Sequence, residues 1–329
     1  MHTVNHDYYP FYRTIDLQMV SEAASYTTGG EPLFYLYPLR FDNRIYYTND
    51  ASRGRQANLA DAEEICRNIG DGWRLPNVSE LLMSYVYTNA LGGSAEDDNY
   101  HGSQNLHGWY QNWTGGYWTT SYYTGRGSAT RLELEFAAGF INSVPTSQND
   151  YFRCVRDNSK SGTKYPYLIR TTEGVTIVSR DASGGVNPSV LLASGETPDK
   201  SDAMNKVAPK FQIENSSNSG KTWDEAKQIC ESKGNNWRLP TQHEMYLVLS
   251  LGGSTVSVND QGFGATTTWT DNGFQKIDGV HWTLTERDTD RHWLVGYNWI
   301  QDYNSGEFGA WPEDKNATWP QYRCVRTVN

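Results

Sequence analysis

One stretch of sequence occurs twice in this chain of 329 residues. Residues 61–76 read DAEEICRNIGDGWRLP, and residues 225–240 read EAKQICESKGNNWRLP. The copies lie 164 residues apart at the cysteine, at the tryptophan and at the proline, and Glu80 and Glu244 further on keep the same offset. Two units of this length indicate a domain duplication, because solenoid repeats have periods of about 20–50 residues.

The match extends outward from this stretch in both copies. YWTTS at 117–121 aligns with HWTLT at 281–285, again with an offset of 164. Near the ends, YFRCVRD at 151–157 aligns with QYRCVRT at 321–327, where the offset is 170. We therefore expect about six extra residues in the second copy before its last strand. The short alternation around each late cysteine favours a strand there.

Each copy is predicted to contain two helices. Apolar residues within 62–69 recur at spacings of three and four, which indicates an amphipathic helix. Thr222 and Glu225 form a candidate capping box at the start of the matching helix. The apolar segments SELLMSYVY at 79–87 and HEMYLVLSL at 243–251 follow the two WRLP motifs and predict a second helix in each copy.

Each copy also has one early and one late cysteine. Four cysteines allow three connectivities. Our leading pairing joins Cys66 to Cys154 and Cys230 to Cys324, because only this pairing keeps each copy self-contained. Buried free thiols are the alternative, since cysteine is a common core residue. Disulfides would indicate an oxidising compartment. A metal site at the cysteines is not expected, since none has another Cys or His at ligand spacing.

Composition excludes several classes of protein. The net charge is −10, which disfavours nucleic acid as a partner because phosphate binding needs a basic face. It also disfavours a polybasic membrane-surface protein. No run approaches 18 apolar residues, so no membrane span is expected. The 12 Trp and 22 Tyr exceed the needs of a core of this size and indicate a binding surface.

The first residues carry no targeting signal. MHTVNHD at 1–7 has neither a basic segment nor an apolar one, so it is not a signal peptide. The cysteines favour an excised piece of a secreted protein over a cytosolic protein. We therefore expect Met1 to be an artificial start and residues 1–30 to be the remnant of an upstream region.

The combined pattern resembles the bacterial C-type-lectin-like domains. The pattern consists of Cys on a first helix, Trp-Arg-Leu-Pro-x-x-x-Glu leading a second, Trp-Thr in a strand, and Arg-Cys-Val-Arg at the end. It is similar to the Trp-Arg-Leu-Pro variety in surface proteins and pilus tip adhesins of anaerobic Gram-negative gut bacteria. The resemblance covers about 31–157 and 164–329. It implies an α+β fold of two tandem C-type-lectin-like domains, each with two helices, short antiparallel strands and long loops.

Polar segments divide the chain further. Residues 158–163, between the two copies, have the composition of a short flexible linker. In the second copy a Gly-, Ser-, Asn- and Pro-rich region follows two strand-like segments. We expect a long surface insertion at 181–220.

The resemblance implies an extracellular ligand-binding protein of the adhesin type, and not an enzyme. Its partners would be a host or microbial glycan or protein, with other pilus subunits as further candidates, at the outer membrane or a pilus tip. The same broad fold occurs in receptor-binding variable proteins of diversity-generating retroelements and in formylglycine-generating enzymes, which are alternatives. A purely structural pilus subunit is another. The enzyme is disfavoured because it uses reactive cysteines, and all four cysteines here have repeat-matched positions.

Calcium is not expected as a cofactor. Calcium-dependent lectins of this fold carry Glu-Pro-Asn or Gln-Pro-Asp in a long loop, together with Trp-Asn-Asp in a nearby strand. Neither loop motif is present, and Gln-Asn-Asp at 148–150 is only a partial match to the strand motif. No Gly-x-Ser-x-Gly, His-Glu-x-x-His or phosphate-loop motif occurs, so no catalytic residue is assigned.

The repeat separates the aromatic residues into two groups. Those at matched positions are expected to serve the shared core: Trp73, Trp118, Trp237 and Trp282. Unmatched aromatics are candidate ligand-binding residues, because rigid aromatics beside amides and Arg suit recognition of a sugar or a protein. In the first copy the candidates are Trp109, Tyr110, Trp113, Tyr122 and Tyr123. In the second copy they are Arg291, Trp293, Tyr297, Trp299, Tyr303 and Trp311. Tyr117 and Trp319 are also unmatched. The alternative is that unmatched aromatics pack long loops.

Overall fold

The computed structural model describes residues 31–36, 56–89, 116–122, 130–135, 140–171, 174–179, 207–253, 275, 277–286, 289–300 and 305–328. Over these ranges the chain is an α+β protein with four α-helices and several mainly antiparallel sheets. This confirms the predicted fold class at the level of secondary structure.

The first copy contains eight strands and two helices within the described ranges. In chain order they are β1 (Glu31–Pro32), β2 (Phe34–Leu36), β3 (Gln56–Ala57), α1 (Leu59–Asn68), α2 (Val78–Asn89), β4 (Tyr117–Trp118), β5 (Thr130–Glu135), β6 (Phe140–Pro145), β7 (Asp150–Tyr151) and β8 (Val155–Asp157).

The second copy repeats this plan with additional strands at its start. Its described elements are β9 (Lys164–Tyr165), β10 (Tyr167–Thr171), β11 (Gly174–Val178), β12 (Lys210–Ile213), α3 (Trp223–Ser232), β13 (Trp237–Arg238), α4 (Gln242–Val248) with a π-helical extension (Leu249–Gly253), β14 (Val280–Glu286), β15 (Arg291–Ile300), β16 (Ser305–Asp314) and β17 (Val325–Thr327).

Both copies bring an early strand next to their last strand. In the first copy β2 pairs antiparallel with β8, and in the second β12 pairs antiparallel with β17. A disulfide joins the first helix of each copy to the segment just before the last strand: Cys66–Cys154 and Cys230–Cys324. The leading cysteine pairing is therefore confirmed, and both bridges have a Cα–Cα distance of 5.4 Å.

Part of the predicted insertion at 181–220 is a strand of the fold. Strand β12 lies within that range and occupies the centre of a five-stranded sheet with the order β10-β11-β12-β17-β13. Its side chains Phe211 and Ile213 are buried, which a surface insertion would not require. The insertion prediction is corrected to end before residue 207, and residues 180–206 lie outside the described residues.

The segment between the copies is held at both ends. Strand β1 pairs parallel with β9, and the backbone N–H of Leu33 donates to the carbonyl of Tyr165. The backbone N–H of Asn158 donates to the carbonyl of Leu33, so Leu33 contacts the chain on both sides of the predicted linker. Residues 159–163 between these contacts are exposed.

The two copies share one hydrophobic core. Helix α2 contributes Leu81 and Leu82 to it, and helix α4 contributes Met245 and Val248. The eight-stranded sheet, in the order β14-β15-β16-β6-β5-β4-β7-β3, contains strands from both copies, joined where β16 meets β6. Both second helices are rich in apolar residues because they pack between two units, not against one.

The WRLP motif has a direct structural explanation. Its arginine reaches the glutamate four residues after the proline, at the start of the second helix of each copy. Arg74 makes two hydrogen bonds to Glu80, of 2.8 and 2.7 Å, and Arg238 makes two of 2.7 Å to Glu244. Each glutamate also accepts a backbone N–H at the helix start, so one carboxylate both caps the helix and pairs with the arginine.

The last arginine of RCVR contacts the tryptophan of WRLP in both copies. The guanidinium carbon of Arg156 lies 4.9 Å from the ring centre of Trp73, and that of Arg326 lies 5.5 Å from the ring centre of Trp237. Cation–π contacts of this kind link the WRLP motif to the RCVR motif within each copy. Trp73 is buried, whereas Trp237 is only partly buried.

The other matched pair of tryptophans is fully buried and makes matched hydrogen bonds. The indole N–H of Trp118 donates to the carbonyl of Ala57 at 2.7 Å, and that of Trp282 donates to the carbonyl of Lys221 at 3.2 Å. Both partners immediately precede the residue that caps the first helix, Asn58 in one copy and Thr222 in the other. The predicted capping box of Thr222 and Glu225 is confirmed.

Candidate functional site

Within the described residues, the hairpin of β15 and β16 is longer than the matching hairpin of the first copy. Its strands are ten residues each, whereas the matching strands β5 and β6 have six each. The register runs from Arg291 opposite Asp314 to Ile300 opposite Ser305. The extra residues expected from the change of offset therefore belong largely to this longer hairpin.

The base of this hairpin is covered on both faces. Trp293 and Val295 belong to the core shared by the copies, while Leu294 belongs to a second cluster with Trp282 and Cys230. A strand buried on both faces offers no exposed aromatic at its base. Trp293 is 6% exposed, so its assignment to a ligand-binding surface is corrected: its ring packs in the interior.

The other candidates in the second copy have different positions. Arg291 is exposed at the start of β15. Tyr297 and Trp299 lie on the last four residue pairs of the hairpin, opposite Phe308 and Gly306. Trp311 is partly buried and packs against the cluster that contains Trp282. Tyr303 lies outside the described residues.

Most candidates in the first copy lie outside the described residues: Trp109, Tyr110, Trp113 and Tyr123. Tyr122 is described and partly buried, and the guanidinium carbon of Arg131 lies 4.7 Å from its ring centre. Tyr117 is 3% exposed and packs against Tyr151, with ring centres 5.5 Å apart.

A buried polar network in the second copy was not anticipated from the sequence. The Nε–H of Arg323 donates to the hydroxyl of Ser217 at 2.8 Å, and that hydroxyl lies 2.7 Å from Nε2 of His281. The serine oxygen can accept a second hydrogen bond, so the tautomer of the imidazole sets the direction of the hydrogen bond between Ser217 and His281. Arg323 also donates to the carbonyls of Glu214 and Gln275. No spacing rule connects residues this far apart in sequence.

The electrostatics of this network argue against hydrolytic chemistry. Burial, with the nearby charge of Arg323, lowers the pKa of His281 to about 3. A general base works best with a pKa near the working pH, so this imidazole is a poor acceptor for the proton of Ser217. Burial also lowers the pKa of Arg323 to about 10, which leaves the guanidinium charged at neutral pH. The network anchors the loop that precedes α3.

A shallow polar groove of about 530 Å³ lies along α1 in the first copy. Its lining includes Gln56, Asp61, Glu64, Ile65, Asn68 and Asn149. The four lining residues of α1 recur at spacings of three and four, which places them on one face of the helix. Carboxylate and amide oxygens of this kind accept hydrogen bonds from hydroxyl or ammonium groups.

No protein-family model matches the chain, and a search of curated proteins finds no significant similarity.

The four cysteines of the chain are all disulfide-bonded. The reactive thiol that the formylglycine-type alternative requires would therefore have to come from one of these bridges. Across the described ranges, no three His, Cys, Asp or Glu side chains form a group that could hold a metal ion. None of the described helices is both long and apolar enough to cross a membrane.

Proposed function

We propose that this chain is an extracellular, adhesin-like ligand-binding protein with two C-type-lectin-like domains, which recognises a glycan or a protein through aromatic-rich loops at a cell surface or pilus tip. The observation that supports the proposal is the plan common to both copies. An early strand pairs with the last strand, and a disulfide joins the first helix to that last strand. This plan places the last strand of each unit beside an early strand, and the aromatic-rich segments that the sequence predicts as loops lie between these strands along the chain.

The long hairpin supports a ligand-binding role for the second copy. Its base is buried on both faces, so the base forms a rigid support. Its outer residue pairs extend from that base and carry Tyr297 and Trp299, whereas the first copy has Leu132 and Leu134 at the same distances from its turn. Binding residues are commonly found on such extensions of a rigid scaffold.

The two disulfides support an oxidising location for the protein. Each bridge closes a loop of about 90 residues, with sequence separations of 88 and 94. Bridges of this kind persist in secreted and surface proteins, whereas cytosolic thiols are kept reduced. This agrees with a cell-surface or pilus-tip position.

The test is a binding screen with the purified, oxidised chain against an oligosaccharide array and a panel of host cell-surface proteins. We expect at least one specific ligand. Replacement of both Tyr297 and Trp299 by alanine should weaken its binding at least tenfold, because aromatic anchors dominate such interfaces. The control is Glu133→Ala on strand β5 of the shorter hairpin, a residue that is not among the binding candidates. The proposal fails if neither the array nor the panel yields a ligand, or if the double variant and the Trp109/Trp113 double alanine variant both bind as the unaltered chain does.

A further inference from the structure

Trp319 has an unusual environment for a tryptophan. Among the large hydrophobic side chains whose burial the structure describes, it is the exposed one, with 53% of its surface accessible. An exposed indole adds little to folding stability, because it buries little apolar surface. The exposed apolar surface of the indole would instead contribute to the free energy of binding when a ligand covers it.

The backbone on both sides of Trp319 is fixed. On one side the N–H of Ala317 donates to the carbonyl of Asp314 at 2.9 Å. On the other, Gln321 donates to the carbonyl of Val280 at 2.9 Å and accepts the N–H of Trp282 at 2.8 Å. Pro320 between them is buried. The indole is therefore presented on a short, anchored segment, so binding would lose little conformational freedom.

The first copy has the same anchors but a shorter segment. There Gln148 donates to the carbonyl of Pro145, and Tyr151 donates to the carbonyl of Gly116. Only residues 149–150 lie between these anchors, compared with 318–320 in the second copy. The second copy has thus gained one residue at this point and carries a tryptophan in the added segment.

The residue of the first copy at this position lines the polar groove. Asn149 faces the groove together with Asp61, Glu64 and Asn68 of α1. With the offset of 164, these three helix residues correspond to Glu225, Gln228 and Ser232 of α3.

The matching face of α3 is exposed and polar. Glu225, Gln228 and Ser232 are all exposed, and Ile229 between them is partly buried. Ile229 and Ala317 pack against the same hydrophobic cluster. The backbone N–H of Trp223, the first residue of α3, donates to the carbonyl of Lys315 at 2.9 Å. These contacts hold the segment that leads to Trp319 against the start of α3.

We propose that Trp319 and the exposed face of α3 bind a glycan, with the indole stacked on a sugar ring. The amide of Gln228 supplies both donors and an acceptor for sugar hydroxyls. The remaining lone pairs of Glu225, which caps the helix, and of Ser232, whose hydroxyl donates to the carbonyl of Ile229, supply further acceptors. The apolar edge of the hydrophobic cluster, where Ile229 lies, continues the surface of the indole. The inference rests on the proposed ligand-binding function and assigns it a ligand class and a second location, away from the hairpin tip.

The test uses the full, oxidised chain and an oligosaccharide array, followed by calorimetric titration of the best array ligand. Trp319→Ala should weaken binding at least tenfold, and Trp319→Phe should weaken it less, because a smaller ring still stacks. Gln228→Ala should weaken binding severalfold. Gln148→Ala, in the matching segment of the first copy but outside the groove lining, is the control and should leave the affinity unchanged. Since Trp319 is exposed, its variants should keep the melting temperature of the unaltered chain.

The outcomes separate this inference from the proposed function. If an array ligand binds Trp319→Ala with full affinity but loses affinity for the Tyr297/Trp299 double variant, the hairpin binds it and this inference is wrong. If the chain binds a host protein and no glycan, this inference is wrong and the proposed function holds. If the chain binds neither, both fail.

Discussion

The two copies build the same arginine–glutamate pair in different surroundings. The side chain of Arg74 is 41% exposed and also contacts Asp157 at 2.6 Å, whereas the side chain of Arg238 is only 4% exposed and Glu244 is fully buried. The motif therefore determines the geometry of the pair, and the packing around it determines what the pair contributes to stability. Paired sites in one chain allow this difference to be measured directly.

The largest expected effect comes from removing one partner of the buried pair. Glu244→Ala leaves the guanidinium of Arg238 buried without its carboxylate, which should lower the free energy of unfolding by about 3–5 kcal/mol. Glu80→Ala should cost about 1–2 kcal/mol, because Arg74 retains water and Asp157. Guanidinium chloride denaturation of both variants measures the difference. Equal losses of unfolding free energy for the two variants would mean that burial does not change what the arginine–glutamate pair contributes to stability.

A second difference concerns buried histidines. The second copy has His243 and His281 where the first has Ser79 and Tyr117, at the offset of 164. Burial lowers the pKa of each histidine to about 3. In the unfolded chain a histidine takes up a proton near pH 6.5, while in the folded chain these two stay neutral until about pH 3. The unfolded state therefore binds more protons in this window, and stability falls as pH decreases through it.

We expect the chain to lose about 2 kcal/mol of stability per buried histidine between pH 7 and pH 5. His243→Ser, which installs the residue of the first copy, should reduce that loss by about 2 kcal/mol. Ser79→Ala is the matched control and should leave the pH dependence unchanged. Denaturation midpoints at the two pH values provide the measurement. A His243→Ser variant with the original pH dependence would show that this side chain is already protonated, or exposed, in the folded protein.

The smallest expected effect concerns the caps of the first helices. Asn58 accepts the N–H of Asp61, and Thr222 accepts the N–H of Glu225 in a reciprocal box. Both sites are on the surface, so Asn58→Ala and Thr222→Ala should each cost about 1 kcal/mol. Thr222→Ser should recover most of the loss. Thermal melts of the three variants test this. A loss of stability for Thr222→Ala far larger than that for Asn58→Ala would indicate that the Thr222 hydroxyl has a further role.

Much of the fold could be predicted because the repeat acts as an internal alignment. The repeat predicts the cysteine pairing and the helices without reference to any other protein, and the spacing of Thr222 and Glu225 alone predicts the capping box. The shared core could not be derived in the same way, since a uniformly apolar helix does not reveal what covers each face. Strand β12 was missed because four residues in a polar region carry too short an alternation to detect.

The candidate site was predicted less well, for a physical reason that Trp293 illustrates. Lack of a matched partner predicts exposure, but β15 is buried on both faces at its base, so an unmatched residue there also packs inside. Trp319 was recognised as unmatched, yet its exposure depends on one added residue between two fixed anchors. The contact of Ser217 with His281 joins residues 64 apart and has no sequence signature.

The pairing of early and late strands has a consequence for how such chains grow. Because the first copy begins and ends on neighbouring strands, with Phe34 opposite Asp157, a unit of this kind can be copied or inserted in a gene without pulling its ends apart. After duplication, each unit keeps its disulfide and its internal strand pairing. Segments outside this strand pairing can then change independently in each copy. The length of the hairpin and the segment around Trp319 differ between the copies in this way.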